Sequence, residues 1–213
     1  ELIAEKFDEV ILATGIIPRT PQILGIDHSK VISYVDLLSG KKQAGAKVAI
    51  IGAGGIGFDV AEFLSEKDHS LSLDPQAFTK HWGIDLTATA RGGVTNVDRQ
   101  IHPPIRSIYL LQRSESKIGE GLGKTTGWIH RAMLKDKKVK MLNSVTYDKI
   151  DDEGLHISLK GVSQVLAVDH VIICAGQDPL KELQADIQKA QIPVHLIGGS
   201  DVAAELDAKR AID

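Results

Sequence analysis

Gly52, Gly54 and Gly57 are spaced as G-x-G-x-x-G, a pattern suited to holding a phosphorylated ligand. Each glycine has a separate use. Gly52 permits a tight turn, Gly54 lets backbone approach a pyrophosphate, and Gly57 lets a helix pack close to a strand. A helix opening through Gly55, Ile56 and Gly57 offers unpaired N–H groups and a partial positive charge to phosphates. The pattern alone would serve equally well as a flexible turn. Its flanks decide between the two: Val48–Ile51 is a short apolar run of the buried-strand type, and Ile56, Val60, Phe63 and Leu64 recur on one side of a helix. Strand before and helix after is the context that gives this motif its meaning, and the implied ligand is a dinucleotide.

The next strand bears on which dinucleotide. Ser107–Arg113 is a second buried run, and in such a fold the end of the second strand lies beside the adenosine ribose, normally about 20 residues past the glycines. An acid there would bond a free 2′-hydroxyl. Here the strand ends in Arg113 and Ser114, with Lys117 and Lys124 close behind. A guanidinium suits the 2′-phosphate of NADP, which an acid would repel. A plain surface arginine at a strand end is the alternative. Gly119 to Thr125 invites a nucleotide-triphosphate reading, but the P-loop spacing requires glycine where this chain has Ile118.

Other strand ends carry small or polar residues. Asp8 to Gly15 is an apolar strand finishing in Ala13, Thr14 and Gly15, and Asp169 to Gly176 repeats its form. Small residues there allow close backbone passage or ligand approach, or simply an ordinary turn. Gly198-Gly199-Ser200-Asp201 follows a last strand; Asp201 is either a helix N-cap, for a helix from Val202, or a ligand to a cofactor hydroxyl. Asp59, on the helix after the glycines, is a weak catalytic candidate beside its reading as a solvated carboxylate.

The elements that position these residues read as α/β. A helix is expected over Tyr34–Ser39, another over Thr125–Lys137 with Trp128, Met133 and Leu134 in the core, and another over Leu180–Ala190. Leu155 to Leu159 alternates as a half-exposed antiparallel meander does. Residues 66–105 are polar and broken by prolines and glycines around one apolar patch at Trp82, too long for an ordinary loop. They read as an insertion, facing a partner or merely tolerated, with His81 and His102 solvated or hydrogen-bonded.

Composition excludes more than it assigns. The 213 residues are 43% hydrophobic and 25% charged, with a net charge of −3 that gives no reason to expect nucleic acid or an anionic membrane. No apolar run reaches the roughly 20 residues that span a bilayer, and no signal-peptide pattern is present, so a cytoplasmic protein is expected. Cys174 is the only cysteine, which excludes a disulfide, a C-x-x-C pair and a cysteine-ligated cluster within these residues. The eight histidines lack metal-binding spacing, and no metal is expected. The sequence starts at Glu1 without methionine and stops within a helix-like pattern, so both ends are expected to continue in a larger protein.

Taken together, the chain resembles the pyridine-nucleotide portion of two-dinucleotide-binding flavoproteins, in which an NAD(P) domain is inserted into an FAD domain. Within that group it is most similar to bacterial 2,4-dienoyl-CoA reductases of the NADH:flavin oxidoreductase/old yellow enzyme class. The stretches that carry the likeness are Gly52–Phe63, Leu110–Arg131, Asp169–Asp178 and His195–Ile212. The resemblance implies a Rossmann-type three-layer dinucleotide-binding domain with a small antiparallel meander, plus partial FAD-domain strands at both ends. It implies boundaries of 1–44 for an FAD-domain segment and linker, 45–170 for the NADP domain, and 171–213 for the return to the FAD domain. Gly52, Gly54, Gly55, Ile56 and Gly57 would hold the pyrophosphate of NADPH, and Arg113, Ser114 and Lys117 its 2′-phosphate. Ala13, Thr14, Gly15, Gly176, Gly199 and Asp201 would face FAD. Asp59 would stand where related reductases keep an acid near the nicotinamide.

The resemblance further implies an N-terminal flavin barrel carrying FMN, a 4Fe-4S iron-sulfur cluster and the dienoyl-CoA site. Hydride would pass from NADPH to FAD, and electrons through the cluster to FMN, serving unsaturated fatty acid β-oxidation. These residues hold neither that barrel nor the first FAD strand, so no turnover of dienoyl-CoA is expected from them alone. Two rival readings stay open: a trimethylamine-dehydrogenase-like domain holding ADP structurally, and a non-catalytic NADP-binding module. The intact glycines and Arg113 favour NADPH. The missing C-x-x-C excludes a thioredoxin-reductase type.

Overall fold

The computed structural model describes residues 2–66, 71–87, 91–94, 97–204 and 212. It divides into two compact units, one of Pro21–Cys174 and one of Glu1–Thr20 with Ala175–Asp213.

In the first unit the apolar run after Ala46 becomes the middle of a sheet. Five parallel strands, β3 (Val31–Ser33), β4 (Lys47–Ile51), β5 (Ser107–Leu111), β6 (Lys140–Leu142) and β10 (His170–Ile173), lie in the order β3-β10-β4-β5-β6. Successive side chains of a strand point to opposite faces. On one face Val48, Ile50, Ile108, Leu110 and Ile172 share a core with Phe58, Val60, Ala61 and Leu64 of α2 (Gly55–Ser65) and Leu134 of α4 (Gly127–Asp136). Ala49, Ile51, Leu111 and Val171 on the other face are equally buried. Both faces are therefore covered, which is why these strands read as continuous apolar runs. A short helix α1 (Tyr34–Leu38) follows β3, its N-terminus capped by the Ser33 hydroxyl, which accepts from the Asp36 N–H at 3.0 Å.

Asp169 pins β10 to β4 by accepting the Lys47 N–H at 2.8 Å, and this bond holds its carboxyl below the ordinary carboxylate value. The meander forms as read: β7 (Val145–Asp151), β8 (Gly154–Leu159) and β9 (Val162–Leu166) pair antiparallel, with Leu155 and Ile157 buried.

The second unit is smaller. β1 (Val10–Leu12) pairs in parallel with β12 (Val194–Leu196), and their side chains form a core with Ile187 of α5 (Gln184–Lys189). β2 (Ile16–Pro18) pairs antiparallel with β11 (Gln177–Pro179), each entered through a glycine of positive φ, Gly15 at 79° and Gly176 at 97°. Arg19 fastens that pair through the Asp178 carboxylate and the Gln177 carbonyl, both at 2.9 Å.

Several expectations are corrected. Phe63 and Trp128 are not core: they are 54% and 58% exposed. At about 100° per residue the buried stripe of α2 runs through Gly57, Ala61 and Leu64, and Phe63 falls outside it. In α4, Gly127 and Leu134 turn inward, leaving the Trp128 indole to donate to the Thr125 carbonyl at 3.0 Å. The helix expected over Leu180–Ala190 is reduced to α5. Val202 to Ala204 are not helical and Ile212 is; the other residues of the helix expected there lie outside the described residues. Next to Asp201, the buried Ser200 hydroxyl donates to the Leu12 and Ile197 carbonyls, at 2.6 and 2.7 Å.

The insertion contains a helix, α3 (Pro75–Trp82), capped by the Asp74 carboxylate and closed by Gly83 in the left-handed region. Its His81 is not solvated but fully buried, with no hydrogen-bond partner on either ring nitrogen and Asp136 of α4 at 3.7 Å. Asp136 also receives the Arg99 guanidinium, which stacks on Trp82. Burial holds the His81 pKa below its ordinary 6.5, although Asp136 pulls the other way. A histidine kept neutral by the fold contributes stability that is complete above pH 6.5 and is lost as pH falls toward its native pKa. Urea melts of the protein and of His81→Phe across pH 5 to 8 should therefore show the native protein losing more stability on acidification. Parallel curves would contradict this account of His81.

Candidate functional site

The glycine loop leaves the carboxyl end of β4, between β10 and β5. The chain returns to β5 on one side of β4 and to β10 on the other, the kind of switch point where open α/β sheets bind ligands. Gly52 sits at φ 109°, and its N–H donates to the Leu111 carbonyl at 2.9 Å. A Cβ on Gly57 would lie 1.9 Å from the Gly52 carbonyl oxygen and 3.5 Å from Leu110 Cδ1. Any side chain at 57 would therefore force α2 off the sheet.

Gly54 and Gly55 are glycines for a different reason. Neither has a positive φ, and a Cβ on either would meet nothing within 4 Å. The protein's own packing does not require glycine there; an approaching ligand would. Gly54 is the N-cap of α2 in extended backbone, so no side chain caps the helix. The first helical bond runs from the Phe58 N–H to the Gly54 carbonyl at 3.1 Å, leaving the amides of the first turn directed outward. The loop thus fits a diphosphate. Asp59 is exposed further along α2.

Because Ile51 pairs with Leu111, Arg113 emerges at the same end of the sheet as the glycine loop. It is exposed and has no acidic partner among the described residues. The turn that carries it is fixed from within. The Gln112 amide donates to the Ser116 carbonyl at 2.6 Å, Ser114 and Ser116 hydroxyls lie 2.7 Å apart, and Asn143 donates to the Glu115 carbonyl at 2.8 Å. Tyr147, passed over in the sequence, has a hydroxyl with no hydrogen-bond partner; burial pushes its pKa up, and the charge of Arg113 opposes this. Nothing in the alternation of β7 marks that residue.

The glycine-rich segment after Lys117 does packing work. A Cβ on Gly119 would lie 2.7 Å from the Phe58 ring, and one on Gly127 2.7 Å from Leu122 Cβ. Arg131 locks the segment by donating to the Gly119 carbonyl at 2.7 Å.

The residues expected to face a flavin belong to the other unit. Thr14 donates to the Leu180 carbonyl at 2.6 Å, and the Gly15 carbonyl accepts from the Leu180 N–H at 3.0 Å. Ala13 follows β1, and Gly199 and Asp201 lie in and just after the turn Gly198–Ser200. Cys174 is buried and its thiol is pushed up to about 12, so it stays protonated and unreactive near neutral pH.

One cluster escaped the sequence. Asp151, Glu153 and His156 bring ligand atoms within 4.8 Å of one another. Lys149 already sits on Asp151 at 2.7 Å and His156 at 2.8 Å, so this group carries its own counter-charge. No helix among the described residues is long and apolar enough to cross a membrane.

A fold of this kind with this loop defines a dinucleotide-binding domain. The family described as pyridine nucleotide-disulphide oxidoreductase matches residues 3–209, and the chain belongs to that family. It is 30% identical over 193 residues to a metal reductase of Desulforamulus reducens, covering 91% of this chain and 28% of that protein. It is 26% identical over 194 residues to a cinnamate reductase of Clostridium sporogenes, covering 91% and 24%. Among solved structures, 2-naphthoyl-CoA reductase in complex with 2-naphthoyl-CoA superposes with a TM-score of 0.72 at 24% identity, over 99% of this chain and 26% of that one. The chain thus spans about a quarter of the length of these proteins.

Two substitutions separate the two kinds of glycine. Gly57→Ala should cost about 1–3 kcal/mol or more in urea denaturation, the range for forced overpacking. Gly54→Ala should cost about 1 kcal/mol or less, the loss of a glycine N-cap, while weakening dinucleotide binding. Equal destabilisation would remove the distinction.

Proposed function

We propose that this chain binds NADPH and orients it for hydride transfer to FAD within a multi-cofactor flavoprotein reductase. The observation that carries the reading is the pair Gly54–Gly55, kept free of side chains where the uncapped N-terminus of α2 opens, with unpaired Arg113 at the same end of the sheet. NADPH, when bound, supplies a transferable hydride on its nicotinamide. The chain supplies binding and orientation. The amides of Gly55, Ile56 and Gly57 receive the diphosphate, whose charge the helix dipole favours. Arg113, with Ser114 and Lys117, receives the 2′-phosphate through charge-assisted hydrogen bonds. Thr14, Gly15, Gly176, Gly199 and Asp201 take the flavin side, and Asp59 stands by the nicotinamide.

For the whole protein, the reading extends to reduction of 2,4-dienoyl-CoA in fatty acid β-oxidation, with FMN and a 4Fe-4S cluster carried elsewhere in the polypeptide. The long motifs Leu110–Arg131 and His195–Ile212 support it, as does the likeness to a reductase of an aromatic acyl-CoA.

Titration with NADPH and NADH tests the nucleotide assignment. A charged hydrogen bond of about 1.5–3 kcal/mol corresponds to roughly ten- to hundredfold tighter binding of NADPH, a margin that Arg113→Ala should abolish. Equal affinities in both proteins would remove Arg113 from the site.

A further inference from the structure

A groove of about 500 Å³ lies between α4 and β6, lined by three cations and no carboxylate. Lys117 comes from the segment after β5, and Arg131 and Lys135 from one face of α4, four residues apart. Ile118, Ala132 and Met141 supply an apolar lining between them. Met141 enters from β6 and Asn143 from the residue just after it. Lys117 and Lys135 have no acidic partner among the described residues, and Arg131 spends one N–H on the Gly119 carbonyl. Asn143 spends its amide donor on the Glu115 and Ser116 carbonyls.

The surrounding charge is lopsided. Residues 113–140 contain eight Lys and Arg against three Asp and Glu, in a chain whose net charge is −3. Of those acids, Asp136 is engaged by Arg99 and His81 and does not line the groove. Like charges gathered on a concave, partly apolar surface repel one another and concentrate anions. The cavity is of the size that holds a small molecule, and an apolar lining with a few convergent polar groups is the usual make-up of such a site.

We propose that this groove binds a small organic anion bearing two or more acidic groups on an apolar body. Arg131 and Lys135 take the acidic groups, and Ile118, Ala132 and Met141 cover the body; Lys117, at the rim, is left to the nucleotide. The site is separate from the glycine loop and does not rest on the nucleotide reading. Bare inorganic anions, which cannot use the apolar lining, bind less well.

Calorimetric titration of the native protein with benzene-1,3,5-tricarboxylate at low salt tests this, with inorganic phosphate in parallel and both repeated at saturating NADPH. Saturable one-to-one binding of the tricarboxylate is expected, with phosphate about tenfold weaker or worse and NADPH without effect. Lys135→Glu, an exposed position outside the nucleotide machinery, should weaken the tricarboxylate about tenfold or more, and Lys135→Arg should restore it. Absent binding, equal affinity for phosphate, insensitivity to Lys135→Glu, or displacement by NADPH would each overturn the proposal. Loss of NADPH binding with the tricarboxylate still bound would instead sink the nucleotide reading alone.

Discussion

The closest constraint in the larger unit is the approach of α2 to the end of β4. At Gly57 the helix backbone passes so near the Gly52 carbonyl that a methyl group would overlap it, at 1.9 Å. That approach sets the direction of α2, and with it the packing of Phe58, Val60, Ala61 and Leu64 on the sheet. It also brings the helix N-terminus to the carboxyl edge of the strands, where its free amides have no side chain above them. The property that makes the core close-packed and the property that makes the site receptive share one residue.

The rest of the unit supports that edge. β5 places Arg113 beside the loop, and the bonds from Gln112 and Asn143 fix the turn that carries it. Gly119 presses on Phe58 and is held by Arg131, so the segment after Arg113 is braced against α2. At the far end of α4, Asp136 and Lys137 receive Arg99 and Glu66, and His81 is buried among them. There ion pairs fasten the insertion to the domain. In the smaller unit, paired turns at Gly15 and Gly176 and the Arg19 clasp join the two strands that leave and re-enter it.

What could be read from the sequence was governed by local rules. The buried strands β4, β5 and β10, the glycine loop and the meander each follow from spacing within a few residues and form as read, whereas the first strand is short and leaves Ile11 exposed. The exposure of Phe63 and Trp128 could not be read, because both fit an apolar helix pattern and only the phase of the helix against the sheet turns them out. The burial of His81 depends on Asp136, 55 positions later, and no local spacing carries that contact. The Asp151, Glu153 and His156 group is local in sequence, but the register of the tight turn between β7 and β8 is what brings its side chains together. The pairing of β3 with β10, far apart in sequence, was likewise not carried by any local pattern.

The account depends on the α2 amides receiving a diphosphate. Backbone 1H–15N resonances of Gly55, Ile56 and Gly57, followed during titration with NADPH, report on that event directly. The account predicts saturable shifts at these three amides, larger than those at strand interiors such as Ile50. Unmoved resonances there at saturating nucleotide would contradict it.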